Sequence, residues 1–197
     1  MTQHAPIARM TEAEYLAWEE LQPEKHEFVN GELVAMSGVS EAHDRVTVNL
    51  TIGLGARLRG GQCRVHTSDM RVQIDETGLY AHPDLTIVCG RPEYAPTRPV
   101  SLRNPRVIIE VLSESTASYD LGAKAAHYRH RTSVETILFV DSQRRSIQRQ
   151  DRNPDGTWTL AERTDGDVRV LDVTIPFAEI YADVEFDGEG RTPIVVT

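Results

Sequence analysis

Val107 to Leu112 (VIIEVL) is apolar at every position but one. A strand that is apolar on both faces must be covered on both, so it belongs at the centre of a layered α/β arrangement. The exception, Glu110, must then lose its hydration, which costs several kcal/mol unless a cation pairs with it. Lys124 follows in the same stretch, NPRVIIEVLSESTASYDLGAKAAHY, in a chain whose only other lysine is Lys25.

Around that strand, helix and strand signals alternate. Thr11 and Glu14 make a capping-box pattern before EAEYLAWEEL, which predicts a helix from about Thr11 to Leu21 that stops near Pro23. HEFVNGELVAM predicts a hairpin turning on Asn30 and Gly31, the pair that best tolerates the positive φ angles of a type I′ turn. Val46, Leu50, Leu54 and Leu58 recur every fourth residue and predict a second helix within Ser40 to Arg59, weakened by Gly53 and Gly55. CRVHTSDMRVQID reads as one or two strands, HPDLTIVC as another, and GRPEYAPTRPVSLRNP as a proline-rich loop. ASYDLGAKAAHYRHR has helical character, TILFVD, RSIQRQ and TWTLAER read as strands, and IPFAEIY as a short helix. We expect one domain over residues 1–197, with its core at about 10–182 and the last ten residues loosely held.

No run approaches the roughly 18 apolar residues of a membrane helix, and MTQHAPIARMTEAEY has no apolar segment of a signal peptide. The expected location is therefore the cytoplasm, where Cys63 and Cys89 would be reduced, buried thiols. A net charge of −9 opposes an approach to phosphates, but residues 151–197 hold eleven acids against four arginines and so carry most of it. Arginine groups at Arg57, Arg59, Arg64 and Arg71, and at Arg144, Arg145, Arg149 and Arg152, read first as solvated faces of a helix and a strand pair.

Asp84 opens one strand and Glu110 lies inside the next, so pairing of the two strands would bring both carboxylates to one end of a sheet. Two carboxylates, completed by water and substrate phosphate, suit a hard divalent cation such as Mg²⁺, with Mn²⁺ as a substitute. Such an ion polarises a phosphoryl oxygen and acidifies a bound water. If STASYDLGAK turns into a helix against that sheet, Lys124 reaches the same place, with Asp120 four residues before it and Tyr128 four after. Its ammonium would orient the attacking water or neutralise transition-state charge, while Ser113, Ser115 and Thr116 would cap the helix or bond its entry turn.

Five segments in order, EFVNGEL, SDMRVQI, HPDLTIV, RVIIEVLSESTASYDLGAKAAHY and ILFVD, resemble the Uma family of "putative restriction endonucleases", a branch of the PD-(D/E)XK nuclease superfamily. The resemblance implies a restriction-endonuclease-like mixed β-sheet flanked by α-helices, preceded by an N-terminal helix and hairpin. It also implies a metal-dependent nuclease acting on DNA, in which Asp84 matches the motif aspartate and Glu110 the acidic residue. Leu112 stands where the superfamily has its lysine, and Lys124 on the following helix takes that role. Glu32, His43 and Asp69 also fit family motifs and, with Asp120, would be auxiliary groups.

A homodimer is expected, because two sites serve two strands and twofold association is the commonest closed assembly. The rival expectation is a catalytically silent protein of the same fold that binds nucleic acid or a protein partner. Other chemistries find little footing. His127 and His130 lack a second pair of zinc ligands. No nucleophile elbow, P-loop or dinucleotide glycine pattern is present.

Overall fold

The computed structural model describes residues 9–36 and 40–186. Helix α1 (Glu12–Glu19) opens on the expected capping box: the Thr11 hydroxyl accepts the Glu14 N–H, and the Thr11 N–H donates to Glu14 Oε2 at 2.7 Å. Strands β1 (His26–Val29) and β2 (Glu32–Ala35) form the hairpin, with φ of 48° at Asn30 and 99° at Gly31, as a type I′ turn requires. Helix α2 (Glu41–Leu58) begins at Ser40, whose hydroxyl accepts the His43 N–H.

Strands β3 (Cys63–Thr67), β4 (Arg71–Ile74), β5 (Leu79–Ala81), β6 (Leu85–Cys89), β7 (Ser101–Leu102) and β8 (Val107–Leu112) follow. The next helix comes in three parts: α3 (Ala117–Tyr119), a π-helical turn (Asp120–Lys124) and α4 (Ala125–His130). After it come β9 (Thr136–Asp141), β10 (Ile147–Arg152), β11 (Trp158–Arg163), β12 (Asp167–Val170), β13 (Val173–Pro176) and α5 (Phe177–Ile180).

The strands divide between two main sheets and a ribbon. The larger sheet runs β11-β10-β9-β8-β6-β3, with β8 and β9 parallel and its other pairs antiparallel. The smaller runs β2-β1-β5-β4-β7, and β12 pairs with β13 alone. The sequence reading missed β5, β7, β12 and β13. CRVHTSDMRVQID, read as one or two strands, forms two, β3 joining one sheet and β4 the other.

Alternation along β8 explains its composition. Val107, Ile109 and Val111 face a core built with Val46, Leu50, Leu54 and Leu58 of α2. Ile108 and Leu112 face the other way, into a core shared with Val72, Ile74 and Leu79 of the smaller sheet and Ala125 and Tyr128 of α4. Full burial of each such aliphatic side chain contributes about 1.5–3 kcal/mol. Glu110 sits on this second face, beneath the smaller sheet and the π-helical turn. Gly53 is explained by packing, since a Cβ there would lie 2.5 Å from Ile175 Cδ1.

The expectation of reduced, buried cysteines is corrected. Antiparallel pairing of β3 with β6 sets Cys63 directly opposite Cys89, and the two are joined as a disulfide that is only partly buried. Among the described residues no helix is long and apolar enough to cross a membrane. The expectation for the last ten residues lies outside the described residues.

Candidate active site

Lys124 is the hub. Its Nζ lies 2.8 Å from Glu27 Oε1, 3.0 Å from Glu110 Oε1 and 3.5 Å from Asp120 Oδ1, with all four side chains no more than 7% exposed. An ammonium has three N–H groups, and here three carboxylates face them. The π-helical turn contributes to this convergence, because its wider winding keeps Asp120, Lys124 and Tyr128, spaced by four, near one face. Tyr128 donates its hydroxyl to Glu110 Oε1 at 2.6 Å.

Asp84 closes another side. Its Oδ2 accepts the Val111 N–H at 2.7 Å, which ties the start of β6 to the end of β8, and lies 3.5 Å from His43 Nε2 near the start of α2. Glu27 Oε1 accepts the His82 N–H at 3.0 Å, and His82 Nδ1 lies 2.8 Å from the Ser68 carbonyl oxygen. Only a protonated Nδ1 can bond a carbonyl, so a neutral His82 carries a bare lone pair on Nε2. These groups line a cavity of about 210 Å³ with Ser113, Ser115, Thr116 and Tyr119. His43 Nδ1, His82 Nε2 and the Tyr119 hydroxyl are buried there without a hydrogen-bond partner among the described residues.

Charge in the cavity is unbalanced. Burial works against the charge of Lys124, yet Glu110, Glu27 and Asp120 hold its pKa well above the ordinary lysine value. Glu110 is pushed up to about 8 by burial and by the neighbouring Asp120, Asp84 and Glu27, against the pull of Lys124. Asp120 is raised as well, first by burial. For His43, burial lowers the pKa but the hydrogen bond and charge of Asp84 outweigh it, so the net shift is upward. Burial pushes His82 down to about 4. Three carboxylates thus share Lys124, with Asp84 beside His43 on the same cavity, and burial among these acids is what raises Glu110.

Asp84, Glu110, Lys124, His43 and Asp120 all line this cavity, whereas Glu32 and Asp69 do not. Glu32 is 68% exposed beside Arg9, and Asp69 is 86% exposed and pairs with Lys25. The acid that the hairpin sends inward is Glu27, which sequence reasoning missed. Its signal is weaker than that of Glu110, because in HEFV only one neighbour, Phe28, is apolar. Ser113 shapes the turn before α3, its hydroxyl 3.0 Å from Thr116 Oγ1, but no side chain caps that helix.

Among the described residues no three His, Cys, Asp or Glu side chains converge as a metal cage. Mg²⁺ usually binds through one or two carboxylates and keeps its waters, so at this cavity the residues that would hold it are Asp84 and Glu110. Both side chains carry hard oxygen donors, and Glu110 has its pKa raised by burial and by the neighbouring acids.

The comparisons agree with this architecture. A family model described as "Uma2: Putative restriction endonuclease" matches residues 12–185. Two uncharacterized proteins of Synechocystis sp. are similar. One, slr1290, is 36% identical over 79% of this chain and 81% of its own length. The other, sll1609, is 33% identical over 78% of this chain and 86% of its own. The crystal structure of "a putative nuclease belonging to DUF820" from Anabaena variabilis shares the fold with a TM-score of 0.69 at 14% identity, covering 87% of this chain and 97% of that one. The family match spans most of the chain and both relatives exceed 30% identity, so this chain belongs to the Uma2 family.

Proposed function

We propose that this protein is a metal-dependent endonuclease that hydrolyses DNA phosphodiester bonds at the Lys124 cavity. The observation that carries the reading is the acid excess: Glu27, Glu110 and Asp120 around one buried lysine, with Asp84 lining the same cavity and Glu110 raised to about 8. A nuclease-like fold and the family of the chain support it.

Asp84 and Glu110 would hold Mg²⁺ or Mn²⁺, which when bound supplies a polarised phosphoryl oxygen and a more acidic water. Lys124 stabilises negative charge that grows on the phosphate, an interaction strengthened by its burial. To present an N–H to substrate it gives up its longest contact, the one to Asp120 at 3.5 Å. Glu27 and Tyr128 keep the lysine and Glu110 in place, and His43 orients Asp84. Glu32 and Asp69, exposed in ion pairs, take no part in this reading.

Supercoiled plasmid at low salt tests it, with Mg²⁺, Mn²⁺ or EDTA. The wild type is expected to nick or linearise the plasmid only with metal, and Asp84→Asn, Glu110→Gln and Lys124→Met to lose that activity. Intact plasmid under all metal conditions, or cleavage unchanged in the three variants, would remove the reading.

A further inference from the structure

Helix α2 carries a second pattern, on the side away from the core. Glu41, Val48 and Ile52, at spacings of seven and four residues, lie on one stripe of the helix, and Arg59, the residue that caps its C-terminus, follows seven residues after Ile52. All four face solvent, Val48 at 36% and Ile52 at 65% exposure. Neither Glu41 nor Arg59 has a charged partner among the described residues.

The stripe is its own complement when reversed. An antiparallel copy of α2, related by a twofold axis at residue 50, sets Glu41 against Arg59 and Val48 against Ile52, twice over. The same operation brings Arg45 opposite Gly55. Gly55 weakens the helix, and a Cβ placed on it meets nothing within 4 Å, so the packing that explains Gly53 does not explain Gly55. A small residue at that point lets a second helix approach closely. Self-complementarity of this kind is what a twofold interface demands.

We propose that the exposed face of α2 is the interface of a homodimer, two copies packing their α2 helices antiparallel. The occupant is a second copy because charge and shape match under reversal: acid at one end, base at the other, branched apolar residues between. The inference is independent of the nuclease reading.

Sedimentation velocity on the full chain across a concentration series tests it, with circular dichroism to confirm that each variant folds. Wild type is expected to dimerise with rising concentration, and less so in high salt. Ile52→Glu, at an exposed position, is expected to remain monomeric. Glu41→Arg sets like charges together and is expected to weaken the dimer at least tenfold, and adding Arg59→Glu to it is expected to restore assembly. A wild type that is monomeric throughout, or a dimer that Ile52→Glu leaves intact, overturns the interface. A double variant that stays monomeric while the wild type dimerises overturns the antiparallel register.

Discussion

Glu27 of the hairpin and Lys124 of the π-helical turn meet at 2.8 Å, and through Glu110 the contact joins both main sheets to the helix. The cavity is thus assembled from parts that are distant in sequence.

Removing the lysine leaves Glu27, Glu110 and Asp120 buried without their cation. Lys124→Met is expected to destabilise the fold by about 3–5 kcal/mol at neutral pH. The loss should shrink as the medium is acidified and the carboxyls take up protons. Urea unfolding at a series of pH values measures both effects.

Glu27→Gln keeps the shape of the hairpin side chain and removes its charge. With one anchor gone the ammonium is less firmly held, and plasmid cleavage is expected to fall about 100-fold, in line with the loss of one preorganised electrostatic group. Glu32→Gln, exposed beside Arg9, should leave cleavage unchanged. Matched time courses with the two variants separate the inward glutamate from the outward one.

The raised pKa of Glu110 makes a signed prediction. A carboxyl at 4.5 in the unfolded chain and about 8 in the folded one binds more protons when folded, so stability falls as pH rises from about 4.5 to 8. Asp120 and His43, both raised, act in the same direction, whereas His82, lowered to about 4, acts in the opposite one between 4 and 6.5. The difference in Tm between wild type and Glu110→Gln isolates the glutamate. Glu110→Gln is expected to gain relative stability across this window, and Mg²⁺ to reduce its advantage by stabilising the wild type.

Cys63 and Cys89 close a loop with a sequence separation of 26, and a link of that span stabilises a fold by about 3 kcal/mol. Dithiothreitol, or the Cys63→Ser variant, is expected to lower the urea midpoint accordingly. Mass spectrometry after alkylation reads the pairing directly.

Periodic signals carried much of the fold. The capping box at Thr11, the Asn30 turn, the α2 stripe and the apolar run of β8 each act within a few residues, so local composition reveals them. Three-residue β5 and two-residue β7 are too short to show alternation, and their pairing comes from neighbours in the smaller sheet. Within the cavity, Glu110 pointed to Lys124 because burial of charge demands company, whereas Asp84 was reached from strand pairing and the family resemblance. Glu27 was passed over for Glu32 because both stand in one hairpin, and only the packing of β1 beside β5 decides which faces inward. Cys63 and Cys89 illustrate the same limit, since their pairing follows from strand register and not from composition.

The central claim is that the acid excess around Lys124 receives a divalent cation. Calorimetric titration of Mn²⁺ into the wild type at pH 7, repeated in two buffers of different ionisation enthalpy, measures binding and proton release together. The account predicts saturable binding accompanied by loss of the proton that Glu110 holds, with no binding in Asp84→Asn and no proton release in Glu110→Gln. Absence of binding by the wild type, or binding of equal strength in both variants, would contradict it.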